Sequence, residues 1–331
     1  MIKTKLTEIF NIDLPVIMAP MFLVSDEKMV KEAVRNRIIG TFPTLNYRET
    51  DKLNAVLQNL NKFIKETENP GTYGVNIIVQ KSNPYFKKHL DICVENKVPF
   101  YITSLGNPKE LIEKVHKYGA KVFCDVTNLK YAEKVAALGA DGIIAVGQGA
   151  GGHAGSDPLQ ILIPALKEKF KNIPVIAAGG IATGKALHSV LVLGADGASI
   201  GTSFIATNEA PVSNDYKKAI INAEAKDIVM TERISGTPST IINTEYAKKI
   251  GYKQNWIERK LSTNPKTKKY FKMLVQVKGM KKLEKSVKPG NYKNLWIAGK
   301  SVQFINEILS IEQLISKLKK ELRESTENKS F

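Results

Sequence analysis

A chain of 331 residues, 43% of them hydrophobic, can bury a sizeable core, which excludes the disordered and fibrous classes. No apolar run is long enough to span a membrane, and the start MIKTKLTEIF lacks the apolar core of a signal peptide, so a soluble cytoplasmic protein without a membrane partner is expected. The formal net charge of +17 is the anomaly, and its location bears on which partners to expect.

From Pro15 to about Thr202, short apolar and β-branched runs alternate with segments of helical period, the pattern of repeated βα units. Eight strands are expected: Val16–Ala19, Ile38–Thr41, Gly74–Ile78, Pro99–Thr103, Lys121–Cys124, Gly142–Val146, Pro174–Ala178 and Ala198–Gly201. Between them lie amphipathic stretches such as Glu110–Tyr118 and Tyr131–Leu138, whose apolar residues recur three and four apart with charges between. Cys93 falls in a helical stretch and Cys124 in a strand, with no C-x-x-C pair and no His/Cys metal spacing. Neither a disulfide nor a bound metal is therefore expected. Helices end at Gly119-Ala120, Gly139-Ala140 and Gly194-Ala195, where glycine supplies a left-handed cap. Eight units with a helix left over at the C-terminus favour closure into a (β/α)8 TIM barrel, an α/β fold, over an open sheet.

The barrel is expected over residues 1–210, closed by a C-terminal helix within 295–325 whose clearest part is Ser310–Leu322. Residues 211–294 lack strand alternation. They read as a mostly helical, Lys-rich insertion after strand eight, covering the C-terminal face where barrel enzymes keep their chemistry. Between Lys266 and Lys300, eleven Lys stand against one acid, Glu284, and no Arg. Nucleic-acid surfaces usually mix Arg with stacking aromatics, so a solvated Lys face, or one that draws in a small anion, is expected in place of a nucleic-acid partner.

The loops after the last three strands carry the chemical signal. Strand seven runs into Ala178, Gly179 and Gly180, and strand eight into Gly201 and Thr202. In a barrel these two loops form the usual phosphate site, with glycine allowing close backbone approach and a helix N-terminus adding its dipole. Strand six runs into Gly147–Ser156, with five glycines in ten residues and one imidazole, His153. So many glycines are expected to serve a backbone that bends and lies flat against a planar ligand, not packing. A projecting imidazole can exchange a proton near neutral pH. His89, His116 and His188 fall inside helical stretches and carry no such signal. Pro20, Met21 and Phe22 after strand one, and Asn76 on strand three, offer apolar and amide groups for the edges of a ring.

These pieces resemble the nitronate monooxygenase family, once called 2-nitropropane dioxygenases, together with related quinone reductases and flavin-type enoyl-acyl-carrier-protein reductases. The resemblance rests on Ala19–Met21 (APM), Gly74–Asn76 (GVN), Ala150–Gly155 (AGGHAG), Ala177–Ile181 (AAGGI) and Gly201–Phe204 (GTSF), in order and at barrel spacing. It implies an FMN-dependent oxidoreductase with the phosphate held by Gly179, Gly180, Gly201 and Thr202. The ring would lie near Pro20, Met21, Phe22, Asn76 and Gly151, with Gly152, Ala178 and Asp125 beside the cofactor and His153 as the catalytic residue. Asp125 stands where some relatives carry a Lys, and Gly149 where the best-known nitronate oxidisers and enoyl reductases carry a Glu. The expected reaction is oxidation of an alkyl nitronate with O2, the partners being this small anion and, for the chain itself, a second copy in a homodimer. Two alternatives stay open: an NAD(P)H-dependent flavin reductase acting on a quinone or enoyl thioester, and a phosphate-binding barrel lyase or isomerase without flavin.

Overall fold

The computed structural model describes residues 2–80, 82–234, 238–253, 256–263, 275, 284 and 294–327. Strands β1 (Val16–Met18), β2 (Ile39–Pro43), β3 (Thr72–Ile78), β4 (Phe100–Ser104), β5 (Lys121–Val126) and β6 (Gly142–Val146) are followed by a two-residue strand β7 (Gly152–His153). Then come β8 (Val175–Ala178) and β9 (Gly197–Ile200). All of these except β7 form one closed barrel in chain order. Every barrel pair is parallel, and β9 closes on β1 with Val16 opposite Ala198. The eight expected strands are all present, with no end shifted by more than two residues.

The barrel interior is filled. Ile17, Ile39, Phe100, Ile102, Phe123, Ile144 and Ile176 point inward and are buried together with Leu6 and Ile12. Helix α1 (Lys5–Phe10) plugs the N-terminal end, where Phe10 packs edge-on against Phe100 at 4.8 Å and Phe123 at 5.9 Å between ring centroids. A methyl group on Gly142 would meet the Phe123 ring at 2.5 Å, so this glycine makes room for its barrel neighbour's ring. Burying each such aromatic contributes roughly 1.5–3 kcal/mol. With that end stoppered, the C-terminal ends of the strands form the open mouth.

The helices α2 (Glu27–Arg35), α3 (Thr50–Glu66), α4 (Phe86–Glu95), α5 (Lys109–Val115), α6 (Leu129–Ala137), α7 (Leu159–Lys169) and α8 (Gly184–Val192) wrap the barrel. Three are started by side chains that accept from the first turn: Asp26 for α2, Asn128 for α6 and Thr183 for α8. Gly119, Gly139 and Gly194 have φ of 83°, 88° and 100°, the left-handed caps expected of them. Cys93 on α4 and Cys124 on β5 are buried free thiols.

After β9 come α9 (Thr202–Ile205), α10 (Asn214–Asn222), β10 (Ile228–Thr231), β11 (Ser239–Ile242), α11 (Glu245–Ile250) and α12 (Trp256–Thr263). Among the described residues helices outweigh strands here, and β10 and β11 are two short strands in a stretch that lacks strand alternation. Each is four residues long, with Thr231 at the end of one and Ser239 and Thr240 at the start of the other, too short for alternation to stand out. The two pair antiparallel, and β11 pairs antiparallel with β7, giving a second, three-stranded sheet. Ile234, Ile241, Ala247 and Leu295 form a small core beneath it. The last helix, α13, spans Ile311–Glu327, so a start at residue 295 is corrected. Residues 295–299 instead run extended, with Ile297 bridging to Ile241, and Lys300–Phe304 form a 3-10 turn. Most of the Lys266–Lys300 stretch lies outside the described residues.

Candidate active site

The loop after β8 places Gly179 and Gly180 at φ of 117° and 76°, a left-handed pair that side chains rarely adopt. The space beside Gly180 is open: apart from its chain neighbours, a methyl there would first meet the Gly149 Cα, at 4.0 Å. At the end of the neighbouring strand β9, a methyl on Gly201 would sit 3.6 Å from both the Ala19 Cβ and the Met21 Sδ, which brings the β1 and β9 loops together. Next to Gly201, Thr202 is buried and its Oγ1 accepts from the Gly299 N–H at 3.0 Å, leaving the hydroxyl hydrogen to donate. Ser203 is 4% exposed, and its hydroxyl has no hydrogen-bond partner among the described residues. A buried hydroxyl without a partner is costly unless a ligand supplies one. This floor therefore fits an oxygen-rich group such as a phosphate: backbone with room above it and hydroxyl donors beside it. One expected contributor is corrected. The N-terminus of α8 is already occupied, since Gly184 N–H donates to Glu321 Oε2 at 2.6 Å and Thr183 caps Ala186.

The β6–β7 loop overturns the expectation that its glycines are not there for packing. A methyl on Gly149 would stand 3.0 Å from the Gly180 N, one on Gly151 2.9 Å from the Gly299 N, and one on Gly155 2.3 Å from the Val146 O. Most of these glycines allow backbone to lie directly on backbone, so the loop is wedged between the Gly179-Gly180 turn and residues 298–299. Gly152 differs, with φ of 72° and 3.6 Å of clearance to the Ile297 Cγ2. The next residue is His153, whose side chain reaches solvent. The surrounding protein removes enough of its hydration to hold the imidazole pKa below the ordinary 6.5. It is therefore mainly neutral at pH 7, the form that accepts a proton.

A third group of predicted residues lies at adjacent strand ends. Asn76 on β3 donates through Nδ2 to the Ser104 Oγ on β4 at 2.8 Å, and the Ser104 hydroxyl donates to Asp125 Oδ2 on β5 at 2.5 Å. Burial pushes the Asp125 carboxyl up to about 6, against the lowering effect of the Ser104 bond. On the β1 loop, Pro20, Met21 and Phe22 are half-buried. Met21 N–H donates to the Ser25 Oγ at 2.9 Å, and Leu23 takes φ of 62° with its N–H held by Asn46 Oδ1 at 2.8 Å. Ala178 ends β8, and its carbonyl accepts from Gly147 N–H at 2.9 Å.

The structure thus packs Gly149, Gly151, Gly179, Gly180 and Thr202 into one continuous backbone floor, sets Met21 against Gly201, and gathers Asn76 and Asp125 into a separate hydrogen-bonded row. Sequence reasoning read Ser203 only as part of the Gly201–Phe204 motif and missed Ser104, Gly299 and Thr240, whose hydroxyl donates to the Ala150 carbonyl at 2.6 Å. Of the missed residues, Gly299 left a trace as the end of the apolar run Leu295–Gly299 (LWIAG). The remaining histidines stand apart: His89 is buried and stacked on Tyr85, His116 pairs with Asp141, and His188 meets Ser325.

Residues 44–321 match the family model for nitronate monooxygenase. The chain belongs to the nitronate monooxygenase family. It is accordingly an oxidoreductase on a (β/α)8 barrel, in a family of flavoenzymes. It is 28% identical over 256 residues to a hydroxy-methyl-oxo-octahydroindene-carboxyl-CoA dehydrogenase of Rhodococcus jostii, covering 77% of this chain and 69% of that one. A probable nitronate monooxygenase of Staphylococcus saprophyticus is 28% identical over 294 residues, covering 75% of this chain and 81% of the relative. Among solved structures, FabK from Thermotoga maritima superposes with a TM-score of 0.84 at 27% identity, covering 99% of this chain and 98% of its own. Among the described residues of this nitronate monooxygenase family member, no helix is long and apolar enough to cross a membrane.

Proposed function

We propose that the chain is an FMN-dependent nitronate monooxygenase in which His153 is the proton-transfer group and residues 211–294 cover the mouth. The observation that carries this reading is the position of His153. It holds a neutral imidazole on a loop whose backbone rests on the Gly179-Gly180 turn, so one rigid unit joins the phosphate floor to the base. Gly179, Gly180, Gly201, Thr202 and Ser203 would hold the FMN phosphate. Pro20, Met21, Phe22, Asn76, Asp125, Gly151, Gly152 and Ala178 would surround the rest of the cofactor. When bound, FMN supplies the redox chemistry, taking electrons from the substrate and passing them to O2.

His153 takes the proton from the carbon next to the nitro group of a neutral nitroalkane, and the bonding pair stays on the substrate as the nitronate. A positioned base of this kind contributes roughly 10²–10⁴-fold. His153→Asn should retain FMN and lose about that factor on a neutral nitroalkane, while oxidation of the preformed nitronate, which has already shed its proton, changes far less. Because burial lowers the imidazole pKa, the acidic limb of kcat/KM for nitroalkane should lie below pH 6.5 and disappear in the variant. Equal losses on both substrates would remove His153 from the role of base.

The similarity to a CoA dehydrogenase favours a second reading, in which an acyl thioester is the substrate and a nicotinamide cofactor exchanges electrons with the flavin. Anaerobic mixing separates the two. Bleaching of the flavin by a nitronate supports the first reading, and bleaching by NADH or NADPH alone supports the second.

A further inference from the structure

The strand that carries His153 belongs to no barrel pair. β7 is two residues long, and its sheet neighbour is β11, with Ser239 opposite His153 and Thr240 opposite Gly152. A strand of this length has little hold of its own. Thr240 is 5% exposed, and its hydroxyl donates to the Ala150 carbonyl at 2.6 Å, with the Gly152 carbonyl next at 3.4 Å. One hydroxyl hydrogen cannot serve both fully, so the short bond to Ala150 is the anchor. The other side of the loop is backed by residues 297–299: the Gly299 N lies 2.9 Å from where a Gly151 methyl would be, and the Ile297 Cγ2 3.6 Å from the Gly152 position. Ile241, next to Thr240, bridges to Ile297. Two segments that follow the barrel strands in sequence thus clamp the loop between them.

We propose that Thr240 is a positioning residue that fixes the His153 loop, so that the segment after the barrel sets the aim of the proton-transfer group. The proposal rests on the reading of His153 as the base, but the clamp itself can be tested without it. Without the hydroxyl, the buried Ala150 carbonyl loses its donor, and the loop must move or admit water to satisfy it. Either change hydrates the imidazole. Ser239 and Thr240 on β11 and residues 297–299 behind Gly151 and Gly152 are described residues set against the loop, and none of these titrates near neutral pH. Desolvation lowers the imidazole pKa, so its titration responds to a change in how the loop is held.

The test compares purified, flavin-loaded Thr240→Val and Thr240→Ser with the parent protein. Each is followed by histidine-selective NMR titration, with His153→Asn identifying the resonance among four histidines. Thr240→Val should move the His153 titration up towards 6.5 and lower kcat on a neutral nitroalkane by about tenfold, as loss of aim does. Flavin content and oxidation of preformed nitronate should stay near the parent values. Thr240→Ser, which keeps the hydroxyl, should restore both the titration and kcat. If Thr240→Val does not fold, Thr240→Ala carries the same comparison. A parental His153 titration in the variant lacking the hydroxyl overturns the clamp, as does a serine variant that behaves like the valine one. A shifted titration with no loss of turnover upholds the clamp and rejects the choice of base, so the two failures are told apart.

Discussion

In the β6–β7 loop, a methyl group on Gly149, Gly151 or Gly155 would meet backbone atoms at 3.0, 2.9 and 2.3 Å, whereas beside Gly180 and Gly201 the nearest atoms beyond the chain neighbours would be 4.0 and 3.6 Å away. The same residue type thus makes a wedge where backbone meets backbone and an open floor directly beside it. The difference teaches that glycine density does not report a ligand by itself. A ligand site needs the glycine's missing side chain to leave space that no other part of the protein fills.

The largest effect that would break this contrast is on the floor. Gly180→Asp points a carboxylate into the space assigned to phosphate, and like charges brought together cost several kcal/mol, on the order of 10²-fold or more in FMN affinity. FMN absorbance after gel filtration reads the outcome, and full occupancy in the variant would remove the floor from the phosphate site.

The wedge should respond in stability. Gly151→Ala forces a methyl against the Gly299 N and the Ala298 carbonyl carbon, an overpacking change that costs typically 1–3 kcal/mol. It should lower the urea midpoint with or without flavin. Gly180→Ala, with no collision to make, should cost only about 1 kcal/mol for the left-handed backbone. Equal costs at the two positions would erase the distinction between wedge and floor.

The smallest expected effect concerns the row of polar groups. With its folded pKa raised from 3.8 to about 6, Asp125 keeps a proton in the folded state that the unfolded chain releases between those values. Its stability penalty is absent below the lower value, grows as pH rises through 6, and is complete above it. Asp125→Asn should therefore stabilise the flavin-free protein by about 1–2 kcal/mol at neutral pH, allowing for its half-buried position, and by almost nothing near pH 4. Urea unfolding at the two pH values checks this. A gap that does not change with pH would show that the carboxyl carries no burial penalty.

All eight barrel strands, the three glycine caps and the eightfold closure were legible in the amino-acid order. They depend on local alternation, helical period and turn chemistry, which neighbouring residues express without help from distant ones. The positions of the glycine loops and of His153 at the mouth were legible for a related reason: they follow strand ends, and a barrel places every strand end at one mouth. Nothing local marks Thr240 as the partner of Ala150, ninety residues away, or Gly299 as the donor to Thr202, ninety-seven away. Nor could composition reveal that the glycines of the β6–β7 loop answer to other backbone, since that is decided by which segments meet once the barrel has closed. By itself the sequence determined the barrel and the order of its chemical groups, because both follow from short-range pattern. Only the tertiary structure decided which of those groups are held, which are open, and which are buried enough to shift a proton, because close approach and desolvation are properties of packed neighbours.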